Sequence, residues 1–288
     1  MFGKYLLATK PWLVAANVLS AAAGYLFAAG GRLEAWPFAA AMAGITLFVA
    51  AGCLCNNLID RDLDRAMDRT RGRVLATGRL SGRDGLRLAL GLMAAGAALL
   101  LAGANLLSLG VVAAGFAVYV GVYSAWLKRR TPYATVVGSL AGAAPPVAGA
   151  CAASGAFDVQ AIVLLALFSL WQIPHSYAIA IYRLDDYAAA GLPVMPVARG
   201  VAATKRLLAG HILAFGLATL VPWLCGYAGR AYLAVAVALG LGWLGLAAWG
   251  GTDPDDRRQA RRLYLFSILV VCGLSVMLAA DAVPRVEP

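Results

Sequence analysis

Polar side chains recur at four-residue intervals where an apolar stretch gives way to a charged one. They are Asn56, Asp60 and Asp64, and Asp68 extends the series. If the apolar segment continues as an α-helix, these groups lie along one face with about 40° of drift per step. Like charges at this spacing repel, and amide and carboxylate oxygens suit a hard cation such as Mg²⁺. The spacing therefore predicts a divalent-cation site at the end of this helix.

Arginines follow these acids directly. Arg69 and Arg73 lie one turn apart just beyond the carboxylates, with Arg65 and Arg71 nearby. Guanidinium groups bind phosphate oxygens through two parallel hydrogen bonds, so carboxylates, metal and arginines together predict a diphosphate site. The alternative is that the Asp and Arg side chains neutralise each other on a solvated helix end. Asp62 points away from the Asp60 face and is expected to pair with an arginine.

The surrounding chain determines what must position these groups. It has 288 residues, of which 62% are hydrophobic and 13% charged, and its mean hydropathy is +0.77. These values exclude disorder and are atypical of a soluble enzyme. Runs of about 20 apolar residues match the thickness of a bilayer. We therefore expect an all-α polytopic membrane protein, a single domain over residues 1–288. About nine transmembrane helices would form one bundle around an intramembrane cavity that opens to the cytoplasmic side.

The predicted spans and the basic residues together give a topology. The spans are at about residues 12–31, 37–56, 86–104, 107–127, 134–154, 160–181, 207–227, 231–250 and 263–281. All but three of the 24 Lys and Arg residues, namely Arg32, Arg230 and Arg285, fall on the N-terminal side. The positive-inside rule then places the N-terminus and the acidic-motif loops in the cytoplasm and the C-terminus outside the cell inner membrane. The net charge of +10 thus reflects topology, and nucleic acid is not an expected partner.

Three other features carry local predictions. The five cysteines lie in or at the ends of apolar spans, which favours small buried hydrophobes over disulfides or a soft-metal site at Cys53 and Cys55. Pro145 and Pro146 lie inside span 5 and predict a kink or an interruption there. The acids and arginines around residues 253–262 predict a solvated loop.

At the acidic motif the chain is recognisable. Residues 56–64 resemble the N-x-x-x-D-x-x-x-D motif of the UbiA superfamily of intramembrane prenyltransferases, and residues 56–81 resemble its heme O synthase branch. Further sequence blocks also resemble this branch and occur in the family's order, at residues 9–11, 128–133, 142–146 and 171–196. The most specific of them is the last, which contains W-Q-x-P-H-S-Y-A. The resemblance extends over nearly the whole chain.

The resemblance implies a reaction and its site residues. Farnesyl diphosphate would be joined to a vinyl group of heme B with addition of water, releasing diphosphate and giving heme O within the lipid bilayer. It implies Mg²⁺ as cofactor, a downstream heme-modifying enzyme as a candidate partner, and three sets of residues. The catalytic residues are Asp60, Asp64 and Asp186, which with Asn56 hold the metal; Arg69, Arg73, Lys128 and Arg129 bind diphosphate; and His175, Tyr182 and Arg183 are heme-binding candidates.

Some of these assignments have alternatives. Lys128 and Arg129, with Arg130, are equally explained as charges that set topology. His175 either faces a substrate, with axial ligation as one version, or donates to a backbone carbonyl freed by Pro174. His211 has no assigned role.

Two further functions compete with heme farnesylation. Superfamily members usually carry a second D-x-x-x-D after span 6, but here residues 182–186 retain only the second acid, as in the heme O synthase branch. This departure, with Tyr182 and the Pro174–His175 pair, argues against a relative that prenylates a quinone-ring precursor or a chlorophyll-type alcohol. A cation-coupled transporter would use the acids as an ion site and the proline break as a gate, but its site would be expected near the midplane.

Overall fold

The computed structural model describes residues 2–249 and 255–284, and this part of the chain is helical apart from its connecting loops. The helices in chain order are α1 (Phe2–Ala8), α2 (Pro11–Ala28), α3 (Ala35–Ile59), α4 (Arg61–Ala66), α5 (Gly82–Gly103), α6 (Leu106–Ala117), α7 (Ala134–Ser154), α8 (Val159–Tyr182), α9 (Leu184–Ala189), α10 (Met195–Arg199), α11 (Val201–Ala218), α12 (Val221–Leu224), α13 (Arg230–Trp249) and α14 (Asp256–Ala280).

Within the described ranges, nine helical segments are long and apolar enough to cross a membrane. Seven are single helices; Val201–Leu224 combines α11 with α12, and Leu106–Arg129 combines α6 with a π-helical segment and a short 3₁₀ turn. Each predicted span overlaps one of these segments, so the prediction of an all-α polytopic membrane protein is confirmed. The predicted end of span 8 at residue 250 lies outside the described residues, as do Asp253 and Arg285.

The last span begins earlier than predicted. Residues 256–262, expected in a solvated loop, form the first turns of α14. Asp255 caps this helix, since its side chain accepts from the backbone N–H groups of Arg257 and Arg258, each at 3.1 Å. Asp256 in the first turn also suits the positive end of the helix dipole. The prediction of a loop was wrong because it rested on the polarity of the charged residues alone. Asp255 at the N-cap and Asp256 in the first turn favour the start of a helix here.

Helices α2 and α7 pack with their backbones in contact. A Cβ atom at Gly149 would lie 2.1 Å from the carbonyl oxygen of Ala21, and one at Gly24 would lie 2.0 Å from that of Pro146. Small residues allow this close approach, which stabilises helix pairs in lipid. Pro145 and Pro146 are buried and do not interrupt α7, so the predicted interruption is absent, while a kink there stays a prediction.

Two apolar clusters hold the two long polar loops at one end of the bundle. The first polar loop connects α3 to α5 and contains α4, and the second connects α8 to α11 and contains α9 and α10. Leu54 on α3 packs with Leu75 and Leu80, which fixes the loop after α4. Leu63 and Met67 pack with Leu192, residues from the loops after α3 and after α8. Both long polar loops are therefore held together at one end of the bundle, where the predicted site residues lie.

Candidate functional site

The predicted oxygen ligands lie at the end of α3 and are buried. Asn56 is 4% exposed, and Asp60 and Asp64 are each 1% exposed. The Asp60 N–H donates to the Asn56 carbonyl at 2.9 Å, and the Asp64 N–H donates to the Asp60 carbonyl at 2.7 Å. The chain therefore keeps a helical path from α3 into α4, and the predicted shared face exists for these residues. The Asn56 amide also donates to Asp60 Oδ2 at 2.8 Å.

Asp68 does not belong to this face. Helix α4 ends at Ala66, and Met67 is extended with φ −107° and ψ 127°. Asp68 is turned outward, with its side chain 84% exposed, and pairs with Arg71 at 3.2 Å. The extension of the series to Asp68 was wrong because the helix that would carry it stops first.

Each of these oxygen ligands is held by a different cation. The Lys10 ammonium donates to Asn56 Oδ1 at 2.6 Å, and the Lys128 ammonium lies 2.5 Å from Asp60 Oδ2. Arg73 Nη1 donates to both Asp64 oxygens, at 2.8 and 3.0 Å. The negative charge that the sequence analysis assigned to a metal is therefore compensated within the protein.

Lys10 and Ser124 are site residues that the sequence analysis did not assign. Among the described residues, Lys10 alone of the non-glycine residues has a positive φ, of 55°. Burial, reinforced by the nearby charge of Arg73, lowers the pKa of the Lys10 ammonium to about 8. Ser124 accepts from the Asn56 amide at 3.0 Å and ends a π-helical segment, a geometry frequent at functional sites. The block at residues 9–11 was the one sequence signal for Lys10, and the apolar run around Ser124 gave none.

The neighbouring Arg129 is engaged differently from Lys128. Arg129 Nη1 donates to Asp62 Oδ2 at 2.7 Å, and Nη2 donates to Asp62 Oδ1 at 2.8 Å. Nη2 also donates to the Ile59 carbonyl at 2.9 Å. The bond from Arg129 lowers the pKa of the Asp62 carboxyl to about 2. The expectation that Asp62 pairs with an arginine is confirmed. Arg129 thus clamps the end of α3 to the turn after span 4, and its role in diphosphate binding stays a prediction.

The second polar loop meets the first at Tyr187 on α9. Its ring packs against the cluster of Leu63 and Met67, and the charges of Arg69, Lys128 and Asp186 all act on it. Burial raises the pKa of the Tyr187 hydroxyl. Arg69 itself is exposed.

The two acids beside Tyr187 have different surroundings. Asp185 is exposed and pairs with Arg257 at 2.7 Å, which ties α9 to the start of α14. Asp186 is half-buried on the same short helix. Asp186, rather than Asp185, therefore remains the acid of the second loop that is available to the site.

The oxygen donors fit a hard cation, although the full predicted set is not gathered. Within the residues the structure describes, no three His, Cys, Asp or Glu side chains form a group that could hold a metal. Asp60 Oδ1, however, is buried and has no hydrogen-bond partner. An unpaired buried carboxylate oxygen is costly, and a bound cation would satisfy it. Asn56, Asp60 and Asp64 therefore fit a Mg²⁺ site, while Asp186 stays a predicted ligand.

A second polar group lies within the membrane span of α8. His175 Nδ1 is 2.6 Å from the hydroxyl of Ser267 on α14, so it does not bind the carbonyl freed by Pro174. The imidazole stacks on Trp171 with ring centroids 4.7 Å apart. His211 lies 2.7 Å from the Leu207 carbonyl and has its partner within its own helix.

The end of α8 carries the other two heme-binding candidates. The Arg183 guanidinium lies 4.4 Å from the centre of the Tyr182 ring, a cation–π arrangement. Both residues are half-buried. They lie about two helical turns from His175, on the side of the bundle that holds the acidic loops.

Comparison with known proteins places this arrangement in a family. The model of the UbiA prenyltransferase family matches residues 17–270. The chain belongs to the UbiA prenyltransferase family. It is 52% identical over 278 residues to protoheme IX farnesyltransferase 2 of Pseudomonas aeruginosa, covering 96% of this chain and 94% of that protein. It is also 48% identical over 281 residues to protoheme IX farnesyltransferase of Yersinia enterocolitica, covering 98% and 95%. The resemblance to the heme O synthase branch is thereby confirmed.

Two solved structures share the fold. A UbiA homolog from Archaeoglobus fulgidus bound to GPP and Mg²⁺ matches with a TM-score of 0.72 at 18% identity, covering 96% of this chain and 99% of that one. A digeranylgeranylglyceryl phosphate synthase structure matches with a TM-score of 0.79 at 15% identity, covering 97% and 99%. At these identities the likeness concerns the helical bundle alone.

Proposed function

We propose that this UbiA-family protein is a Mg²⁺-dependent heme O synthase. It transfers the farnesyl group of farnesyl diphosphate to a vinyl group of heme B. A carbon–carbon bond forms as the allylic carbon–oxygen bond breaks, water adds to the vinyl carbon that becomes cationic, and a proton and diphosphate leave. The names of its relatives and the buried oxygen ligands at the end of α3 support this proposal together.

One observation carries the site assignment. The buried Asp60 has one oxygen without a partner, while its other oxygen is held by Lys128 and Asn56. A carboxylate with one free oxygen, beside an amide and a second carboxylate, provides the ligands that Mg²⁺ uses together with substrate phosphates. Asn56, Asp60 and Asp64 would hold the ion, joined by Asp186 of the second loop. When bound there, Mg²⁺ supplies positive charge that stabilises the departing diphosphate.

The protein's own cations complete the diphosphate site. Arg73 and Lys128 pair with the two carboxylates and Arg69 is exposed, and all three would bind the diphosphate when it bridges to the acids through the ion. Arg129 beside them holds the end of α3. Charge developing on the leaving group would thus be met by cations that the protein already holds in position. The farnesyl tail extends among apolar side chains of the bundle, which shield the allylic cation from water.

Heme binds on the α8 side of the same end of the bundle. His175 lies in the membrane-spanning part of α8, whereas Tyr182 and Arg183 lie at its end. A porphyrin has an apolar face and anionic propionates, so it matches an imidazole at depth and a guanidinium at the rim. His175 would contact the porphyrin, and Arg183 would contact a propionate.

The orientation follows from the basic residues. We assign the protein to the cell inner membrane, with the N-terminus and the acidic loops on its cytoplasmic side and the C-terminus on the other side. Lys and Arg are concentrated in the loops on the N-terminal side, which supports this orientation. The whole chain, residues 1–288, acts as one prenyltransferase domain. Its hydrophobic, reactive product makes an enzyme that next modifies heme O a natural partner.

A product assay tests the proposal. Purified protein receives heme B, farnesyl diphosphate and Mg²⁺, and the heme fraction is analysed by chromatography and mass spectrometry. Wild type is expected to yield a farnesyl-hydroxyethyl heme, and Asp60→Ala is expected to lose at least about 100-fold in rate, as when an electrostatic group of an active site is removed. Asp68→Ala is the matched control, because its carboxylate is exposed and outside the site.

The outcomes separate the levels of the proposal. Diphosphate release without a modified heme would mean that another acceptor is used and would overturn the heme assignment. Equal losses in Asp60→Ala and Asp68→Ala would overturn the assigned site. Product formation that persists in excess chelator would overturn the Mg²⁺ requirement.

A further inference from the structure

The hydroxyl of Ser267 contacts two groups at once. It lies 2.6 Å from the backbone carbonyl of Tyr264 and 2.6 Å from Nδ1 of His175. A serine hydroxyl has one hydrogen and two acceptor lone pairs, whereas a carbonyl oxygen only accepts. The single hydrogen of Ser267 is therefore directed to Tyr264, and the oxygen faces His175 as an acceptor.

This arrangement determines the tautomer of the imidazole. Because Ser267 offers His175 only a lone pair, Nδ1 must carry a hydrogen and donate it. In the neutral ring Nε2 then has no hydrogen and presents its own lone pair. Nε2 makes no hydrogen bond to the described residues. It is also not among the fully buried atoms that lack a partner, so it is accessible to a ligand.

Aromatic rings fix the direction in which this lone pair points. The imidazole stacks on the Trp171 ring, with the ring centroids 4.7 Å apart and an interplanar angle of 27°. The Tyr264 ring is tilted by 50° against the imidazole, with the centroids 5.3 Å apart. The Trp171 indole N–H donates to the backbone carbonyl of Ser267 at 2.8 Å, which ties α8 to α14 at the same level. Position, plane and tautomer of His175 are therefore all set by the α8–α14 contact.

We propose that Ser267 is a positioning residue that holds His175 as the Nδ1–H tautomer, so that Nε2 binds the iron of the heme substrate as an axial ligand. Histidines that bind metals typically donate the other ring N–H to an oxygen acceptor, which fixes the tautomer and raises the basicity of the ligating nitrogen. Ser267 supplies that acceptor. The proposal rests on the proposed function, since heme is the ligand it invokes.

The tautomer is tested first, without heme. The chain has two histidines, so protein labelled with ¹⁵N-histidine and purified through a tag other than polyhistidine gives two imidazole spin systems, and His211→Gln assigns them. His175 of wild type is expected to show a protonated Nδ1 and an unprotonated Nε2. A protonated Nε2 would overturn the proposal, whether or not the protein farnesylates heme.

Heme ligation is tested next, in the absence of farnesyl diphosphate. Full-length protein is titrated with heme B and followed by absorption and resonance Raman spectroscopy. Wild type is expected to show an iron–histidine signature that His175→Ala abolishes. Ser267→Ala is expected to weaken heme binding about 10- to 100-fold and to change this signature, and Ser267→Thr, which keeps the hydroxyl, is expected to restore both.

A serine on the same helix serves as the matched control. Ser275 is buried like Ser267 and lies eight residues further along α14, so Ser275→Ala tests for a general packing effect. The proposal is overturned if Ser267→Ala keeps the wild-type heme spectrum, if Ser275→Ala changes it equally, or if His175→Ala retains the iron–histidine signature. The product assay with wild type is read separately, so loss of the ligation proposal leaves heme farnesylation standing, and an inactive wild type with intact ligation rejects farnesylation alone.

Discussion

Lys128 and Asp60 form an ion pair that joins the end of α3 to the turn after span 4. Their N···O distance is 2.5 Å, and their side chains are 15% and 2% exposed. The oxygen that Lys128 contacts also accepts from Asn56, while the other Asp60 oxygen has no partner. The pair therefore holds the carboxylate in place while leaving one oxygen for a ligand.

Removing the Lys128 ammonium is expected to move two affinities in opposite directions. In Lys128→Gln a divalent cation no longer competes with the ammonium, so half-maximal activity should need about tenfold less Mg²⁺. The KM for farnesyl diphosphate should rise about tenfold or more, because one charge-assisted hydrogen bond to the diphosphate is lost. Steady-state kinetics over Mg²⁺ and substrate concentrations measure both.

Lys4→Gln is the control for Lys128→Gln. The Lys4 ammonium donates to the Arg79 carbonyl at 3.4 Å and lies 5.3 Å from the centre of the Tyr5 ring, and neither partner belongs to the predicted site. This variant should behave as wild type in both titrations. If Lys128→Gln raised the Mg²⁺ requirement instead, the pair would not be a competitor of the metal.

Arg73 reaches Asp64 and Asn57 through one nitrogen of its guanidinium group. Arg73 Nη1 contacts both carboxylate oxygens and also Asn57 Oδ1 at 3.3 Å. The other two guanidinium nitrogens are then left to donate to a diphosphate, whereas a lysine that keeps the contact with Asp64 has no second nitrogen to offer. We expect Arg73→Lys to bind a non-reactive farnesyl diphosphate analogue about tenfold more weakly in the presence of Mg²⁺, as measured by calorimetry.

Arg71→Lys provides the matched substitution in the same loop. Arg71 pairs with Asp68 at 3.2 Å, and both side chains are largely exposed, at 70% and 84%. Exposed pairs contribute about 0–1 kcal/mol, so analogue binding and thermal stability should stay at wild-type values. Equal weakening in both variants would show that any arginine-to-lysine change in this loop weakens binding, and would contradict a specific role for the Arg73 guanidinium.

Apolar patterning and spacing were sufficient to predict the membrane helices and the Asn56–Asp60–Asp64 face. Bilayer thickness fixes the length of a span, and helical periodicity fixes which residues share a face. The same periodicity failed at Asp68, because the end of α4 depends on how Met67 packs against the second loop. It also missed the cap of α14 by Asp255, a local signal that was present but was not used.

The cations around the acids required the tertiary structure. Lys10 precedes Asn56 by 46 residues and Lys128 follows Asp60 by 68, so no local pattern relates them. Ser267 and His175 are 92 residues apart and meet only because α8 packs on α14. Sequence spacing identifies groups within one helix, whereas the partner of each group depends on which helices become neighbours.

Close packing of α2 on α7 leaves no room for a side chain at Gly149. A Cβ there would lie 2.1 Å from the Ala21 carbonyl oxygen, a backbone atom that moves only with its helix. We expect Gly149→Ala to destabilise the protein by about 1–3 kcal/mol or more, as overpacking does. Thermal unfolding in detergent, followed by size-exclusion chromatography, measures the change.

Gly110 on α6 is the control for Gly149. It also lies in a membrane-spanning helix, but nothing lies within 4 Å of its Cβ position. Gly110→Ala should leave the melting temperature unchanged or raise it slightly, because alanine favours a helix by about 1 kcal/mol over glycine. Similar melting temperatures for the two alanine variants would contradict the close α2–α7 contact.

Lys10 combines a strained backbone with a side-chain contact to the predicted site, and substitutions can separate the two. Its left-handed conformation costs a non-glycine residue about 1–2 kcal/mol, and its ammonium donates to Asn56 at 2.6 Å. Lys10→Gly should remove the strain and the ammonium together, whereas Lys10→Ala removes the ammonium and keeps the strain. We therefore expect the glycine variant to melt at a higher temperature than the alanine variant.

Both Lys10 variants should bind the farnesyl diphosphate analogue with Mg²⁺ about tenfold more weakly than wild type, because each lacks the cation beside Asn56. Calorimetry and thermal unfolding on the same preparations give affinity and stability together. A glycine variant that is as stable as wild type yet binds weakly would show that the strain is maintained for the contact. Wild-type affinity in both variants would mean that Lys10 serves the fold of the α1–α2 turn and has no part in the diphosphate site.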